Sequence, residues 1–442
     1  MKKRMKQLVS ILIASALIFS LTACGSKSES TGVAQDNGNA KTAEDTKSGG
    51  GENTKKQDLV MIITQATDFD KTLEEKINEE FGEKYNIIFK TWEEQSVEQT
   101  VKTAATAGEQ IDLVKFWPMQ MESFVSANLA TDLTGYMDDE WKDRFTDTNI
   151  LEMGTYDGKL YNIPYDNVYP AIIANSAILA EAGVTLPESG AWTWAEFEEA
   201  CRTIEEKTDA FGAAIQKEQA CWLVRNLFLQ TWGNEEDMNA FIQGKVSFKD
   251  PKIVDGLEMI KKDFDDGMFY PGEGGLAVTQ DQLYAAFSQG KYAFMFVPSS
   301  NVVGALDKTG ITDYTIMDYP SMGTSENPPL LGGCNGWFIP KNAGNIEGAV
   351  EVMKFLQSEE LSNYKLSAGK LVVTKAGANS KIDMTLLEAL TRNANSIQPK
   401  EIMGLDAELN EYIMNLMPAN YFNNGKSALD ELDALREAAL SR

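Results

Sequence analysis

The sequence contains no histidine in 442 residues. Without imidazole no Ser-His-Asp or Cys-His catalytic device can be assembled, no His-ligated metal site can form, and no imidazole base is at hand. Cysteine is nearly as scarce: Cys24, Cys201, Cys221 and Cys334 stand in no metal-ligand spacing. Setting Cys24 aside leaves an odd number, which indicates no disulfide framework. The three read as buried free thiols, with a Cys201–Cys221 bridge as the alternative. Positive charge is short as well, 40 Lys and Arg against 66 Asp and Glu. So acidic a surface makes nucleic acid and anionic polymers poor partners. Neither a P-loop nor a dinucleotide fingerprint occurs, and no cofactor is implied. Carboxylate-pair chemistry stays open, although no pair stands out among so many acids.

What is present begins with an address. Lys2, Lys3, Arg4 and Lys6 precede an apolar run from Leu8 to Leu21. That run is short for a membrane span of ~20 residues and has the layout of a secretory signal. It ends in Leu21-Thr22-Ala23-Cys24, which resembles a bacterial lipobox, so residues 1–23 are expected to be a signal peptide and Cys24 the lipidated residue. An ordinary signal peptide with a chance Cys is the other reading. Cleavage there removes four basic and no acidic residues, leaving a net charge of −30. Residues 25–57 hold one Val and no larger hydrophobe. They cannot bury enough apolar surface to offset the entropy of ordering, so 24–57 reads as a lipidated flexible tether. The remaining 385 residues are too many for one compact core and suit two domains.

The folded part opens as alternating strand and helix. "LVMIIT" (59–64), "NIIFKTW" (86–92) and "IDLVKFW" (111–117) read as strands. Leu73, Ile77 and Phe81, then Val97, Val101 and Ala104, mark two amphipathic helices between them. The alternation predicts an α/β fold with a parallel sheet, with small ligands beyond the carboxyl ends of its strands. Farther on, helices are expected over 193–207, with a Thr193/Glu196 capping box, and over 253–267, 349–364 and 384–394, with a buried strand at 291–298.

Four segments carry a family resemblance. "YDGKLYNIPYDNVYPAIIANSAILAEAG" (156–183) resembles the central signature of extracellular solute-binding proteins, family 1, the group that includes maltodextrin-binding proteins. "DLVKFWPMQMESFVSANLATDLTGYM" (112–137), "AAFSQGKYAFMFVPSSNVVGAL" (285–306) and "LLGGCNGWFIPKNAGNIEGAVEVMKFL" (330–356) are similar to that family's segments in the same order. The resemblance implies a two-lobed, periplasmic-binding-protein-like fold of type II, each lobe a sheet flanked by helices, with a hinge crossed more than once. Crossings are expected near Tyr165–Tyr169, near Ile311–Tyr314 and after Pro340. Lobe one would comprise 58–167 plus 314–341, and lobe two 168–313 plus 342–442. The implied role is the membrane-tethered, extracellular binding component of an ABC importer on a bacterial, Gram-positive-type cell. It would capture a sugar in the cleft and deliver it to permease subunits, with monomer as the default state.

Sugar recognition asks for aromatic faces and for amides or carboxylates that pair hydroxyls. Under the resemblance the ligand-binding candidates are Thr67 and Asp68 after the first strand, and Phe116 and Trp117 ending the third. Asp166 and Asn167 follow at the crossing, then Trp222 and Trp232 flanking an apolar helix, and Ser300 after the strand that ends at Pro298. Asn335 and Trp337 lie on the return strand. Each has a plain structural alternative: helix cap, hinge hydrogen bond or core packing. Where several relatives carry a stacking Trp after Pro298 this chain has Ser, which weakens maltodextrin specificity. Two other readings stay open: a same-fold receptor for a polyamine, a peptide or another non-sugar solute, serving as a sensor partner in one version, and a surface carbohydrate-active enzyme.

Overall fold

The computed structural model describes residues 56–63, 68–91, 97–187, 192–232, 234–323, 330–376, 397–398 and 407–441. The chain from 55 to 442 forms one compact unit. Its first elements follow the sequence pattern: strand β1 (Gln57–Ile63), helix α1 (Asp68–Phe81), β2 (Tyr85–Thr91), helix α2 (Val97–Ala107) and β3 (Leu113–Phe116). β1 is the apolar run, and its last five residues are buried. α1 buries Leu73 and Ile77 beneath it. β1 pairs in parallel with both β2 and β3, which makes right-handed helical crossovers the natural connection.

Strand β4 (Ile163–Val168) runs almost without interruption into β5 (Pro170–Asn175). Helix α3 (Trp194–Lys207) carries the Thr193/Glu196 capping box and leads to β6 (Phe211–Ile215). Helix α4 (Cys221–Gln230), helix α5 (Pro251–Asp265), strand β7 (Tyr292–Pro298), helix α6 (Val302–Thr309) and strand β8 (Tyr314–Asp318) follow. The chain returns through β9 (Gly333–Phe338), then α7 (Ile346–Leu356), α8 (Glu359–Ser367) and the short β10 (Leu371–Val372). Two mixed sheets result, one six-stranded in the order β10-β4-β9-β3-β1-β2, the other four-stranded in the order β8-β5-β7-β6. β9 is antiparallel to both β3 and β4, so the first sheet is mixed rather than wholly parallel.

One continuous helix over 349–364 is replaced by two. Ser358 interrupts it, and its hydroxyl accepts from Leu361 N at 3.3 Å as the cap of α8. Asp112, fully buried just before β3, fastens this region: its carboxylate accepts from Val60 N (2.7 Å) and from Gly344 N and Asn345 N (2.8 Å each). Charge-assisted bonds of this kind are about twice as strong as neutral ones, and these join β1, β3 and the entry to α7. Cys201, Cys221 and Cys334 are buried thiols that form no disulfide with one another. The helix expected over 384–394 lies outside the described residues, as do Cys24 and the rest of 1–55.

The placement of elements departs from the lobe boundaries read from the sequence. β8, expected in the first lobe, pairs with β5 in the four-stranded sheet. α7 and α8, expected in the second, bury Val352, Met353, Leu356 and Leu361 in the core under the six-stranded sheet. The chain goes back toward the other sheet only after Thr374, where Ile397–Gln398 pairs with Leu330–Leu331 and a C-terminal helix (Lys426–Leu440) packs into the larger core. A strand of five residues carries no mark of which sheet it joins; only its hydrogen-bonding partner does.

Candidate functional site

Strand direction defines where a ligand would lie. β1, β3 and β4 all end at one edge of the six-stranded sheet, at Ile63, Phe116 and Val168. The carboxyl ends of β6, β7 and β8 lie at the edge of the other sheet where β5 begins, since Pro298 pairs with Pro170 and Asp318 with Ala171. Both sheets therefore present their carboxyl ends to the β4–β5 crossing, the position at which open α/β sheets bind small ligands. Tyr169 fixes the crossing: its carbonyl accepts from Ser299 N (2.7 Å), and its amide donates to the Ser299 hydroxyl oxygen (3.2 Å).

On the six-stranded side the edge carries a compact group. Phe116 is buried and its ring stands 5.4 Å from that of Trp117, which is half-buried. Asn335 Nδ2 donates to Asp166 Oδ1 at 2.7 Å, and Asp166 is 2% exposed. The buried Oδ1 of Asn167 meets no donor among the described residues. Gly336, opposite Phe116, has no room for a side chain: a Cβ there would run into the Asn162 amide and lie 2.7 Å from Pro118 Cγ. Phe116, Trp117, Asp166, Asn167 and Asn335 thus come together. Asp68 does not join them. It begins α1 in the open, paired with Lys71 at 3.1 Å, and that hydrogen-bonded lysine holds its carboxyl below the usual range. Thr67 lies outside the described residues.

The two candidate tryptophans of α4 part company. Trp222 is in its first turn, just beyond the carboxyl end of β6, half-buried, with the Arg225 guanidinium 4.4 Å from its ring centre. Trp232 follows the far end, about 15 Å along the axis at 1.5 Å per residue, and packs in the core on Phe241. Trp337 is likewise a core residue, 1% exposed and edge-on to Tyr165 at 6.0 Å. The register shifts between Asn335 and Gly336, so simple alternation fails there, and Trp337 joins Cys334 and Ile339 in the core under α7 and α8. Trp232 and Trp337 are thus packed in the core in this structure. Ser300 is half-buried at the entry to α6, where its carbonyl accepts from Lys370 Nζ at 2.9 Å.

Sequence reasoning missed a second layer. Lys115 reaches Asp70 at 3.4 Å, and Asp70 is 3% exposed. Lys365, fully buried, donates to Tyr165 O at 3.1 Å and sits 4.0 Å from the Tyr165 ring centre. Burial lowers its ammonium to about 8, with Asp166 acting in the opposite sense. Gln120, after β3, accepts from Asn410 Nδ2 at 2.8 Å, joining the exit of the first sheet to the short helix Ala407–Glu411, whose Leu409 belongs to the core of the second. No periodic signal marks these residues, since each is a single polar position. Among the described residues no cluster of acidic or thiol side chains could hold a metal ion.

Comparison with known proteins decides the family. The sequence profile of the bacterial extracellular solute-binding proteins matches residues 64–361, well over half of the chain. The chain belongs to that family. A binding protein of Brucella abortus (strain 2308) is 24% identical over 353 residues, 78% of this chain and 83% of its own length. Among solved structures, a chitin oligosaccharide binding protein superposes with a TM-score of 0.74 at 20% identity, covering 87% of this chain and 99% of its own. The GacH receptor of Streptomyces glaucescens, solved free and with acarbose, gives 0.70 at 17% identity over 87% and 99%. Maltose-bound MalE3 of T. maritima gives 0.66 at 16% over 86% and 99%. The fold is that of type II periplasmic binding proteins, and the family is that of extracellular solute-binding proteins.

Proposed function

We propose that this solute-binding protein captures a sugar or oligosaccharide between two lobes, held near an ABC permease by a lipid on Cys24 and the 24–57 tether. Lobe one would comprise 58–168 with 333–374, and lobe two 170–318 with 397–441. The observation that carries the reading is the meeting of carboxyl-end edges, with Phe116, Trp117, Asn167 and Asn335 on one side and Trp222 on the other. Half-buried aromatic faces suit the C–H side of a sugar ring. The unpartnered Asn167 Oδ1 is a buried acceptor for which a ligand hydroxyl would be the missing donor. Neighbouring solved structures hold acarbose, maltose, raffinose and tagatose, and this supports the same class of cargo.

A thermal-shift screen of the 58–442 chain tests it, using mono- and oligosaccharides, polyamines, amino acids and short peptides. A ligand at 100 times its dissociation constant adds about 2.7 kcal/mol of stability, a clear rise in melting temperature. A sugar recovered intact after binding supports the reading. Stabilisation by a polyamine or peptide alone overturns the sugar assignment while leaving the receptor.

A further inference from the structure

After α8 the chain makes a short strap, residues 368–372, which includes β10 and is attached to both halves of the molecule. Its backbone belongs to the six-stranded sheet, where Leu371 pairs with Asn167 and Val372 with Asp166. Its side chains go elsewhere. Leu371, 4% exposed, is buried with Tyr169, Ala171 and Val302 in a core cluster of the four-stranded sheet. Gly369 has φ +73°, and a Cβ there would collide with Val303 of α6, so the strap lies backbone-on against that helix.

Lys370 is the centre of this arrangement. Its Nζ donates to Ser300 O at the entry to α6 (2.9 Å) and stands 5.0 Å from the ring centre of Phe69, at the start of α1. Facing it are Asp166 of β4, Lys115 of β3 and Asp70 of α1. Burial pushes the ammonium down and Asp166 pulls it back. A desolvated cation is expensive unless surrounding groups compensate it, and here the compensation comes from both halves at once.

We propose that Lys370 is a positioning residue for ligand capture, holding the Ser299–Asn301 turn of the second lobe against the β1 and β4 exits of the first. The functional part of this inference rests on the sugar-receptor reading; the mechanical part does not. Moving α6 away from the first sheet breaks the Nζ–carbonyl bond and admits water to Asp70 and Asp166. Without the ammonium those two buried carboxylates lose a counter-cation, and the arrangement that buries them is disfavoured. Lys370 thereby raises the population of the binding-competent arrangement, which multiplies apparent affinity.

The test compares Lys370→Met, Lys370→Arg and the exposed control Lys291→Met with the unsubstituted protein. Unliganded radius of gyration is measured by small-angle X-ray scattering. Affinity is measured by calorimetry with whichever of maltose, raffinose and chitin or xylan oligosaccharides gives the largest thermal shift. Lys370→Met is expected to be more extended without ligand and to bind ~5- to 150-fold more weakly, the usual span of a coupling between sites. Lys370→Arg should recover part of both, and Lys291→Met should change neither. A folded Lys370→Met with unaltered radius overturns the proposal whatever the ligand proves to be. If no sugar binds the unsubstituted protein, the sugar reading fails while the scattering comparison still decides the strap. Should Lys370→Met not fold, hydrogen exchange on the unsubstituted protein takes its place. The strap amides and the first turn of α6 must open together, and independent opening overturns the coupling.

Discussion

At the residue scale, burial separates side chains that look alike in sequence. Trp222 and Trp337 both stand in short apolar stretches, CWLV and GWFI, yet one is half-buried at a carboxyl-end edge and the other is 1% exposed under two helices. Their substitutions should differ in kind. Trp337→Ala opens a cavity among Tyr165, Ile163 and Val352 and should cost about 3–5 kcal/mol of stability, read by urea unfolding. Trp222→Ala should leave the unfolding midpoint near that of the parent and weaken sugar binding by about tenfold or more, as loss of an aromatic anchor does. If Trp222→Ala binds as tightly as the parent, Trp222 is not a platform and its role is to support Arg225. The sequence could name these residues because aromatic side chains near strand ends are few. It could not rank them, because exposure depends on how helices pack over each sheet, and the residue itself carries no mark of that.

At the element scale, pairs of helices are joined by groups whose ionisation depends on the contact. Asp263 of α5 accepts from Trp194 Nε1 of α3 at 2.7 Å and is 4% exposed. Burial first, and a shared hydrogen bond with the Glu198 carboxyl second, push it up to about 8, against the pull of Trp194. The folded state therefore keeps a proton that the unfolded chain releases near pH 3.9. Its contribution is full below about pH 4 and is lost as pH rises toward about 8. Melting temperature should fall across that window. Asp263→Asn, which keeps an acceptor for Trp194 and a donor for Glu198, should flatten the fall and be the more stable protein at pH 8. An equally steep decline in Asp263→Asn would place the proton elsewhere. The elements themselves were legible: β1, α1, β2, α2 and β3 follow from apolar period alone, and the α3 capping box from two residues. Strand partners were not. β8 and β10 are short, their burial patterns fit either sheet, and their assignment is decided by neighbours more than 100 positions away.

At the scale of the whole molecule, the proposed attachment can be tested apart from the receptor. The described body carries both sheets within residues 57–372, with the β4–β5 crossing between them. A tether of polar composition adds no binding surface; it raises the receptor's concentration near a membrane partner, an effect set by length and stiffness. A lipid contributes about 0.8 kcal/mol per buried CH2, enough for firm anchoring only when more than one chain is attached. Cys24→Ser should therefore release the protein from the membrane fraction of expressing cells, read by fractionation and immunoblotting. Its melting temperature and its affinity for a panel sugar should stay unchanged. Uptake of that sugar at low external concentration should fall, and supplying the receptor in excess should restore it, because only local concentration has been lost. Retention of Cys24→Ser in the membrane fraction would show that something other than the lipid holds it there. A change in sugar affinity would mean that the leader takes part in binding after all, and the separation of tether from receptor would fall with it.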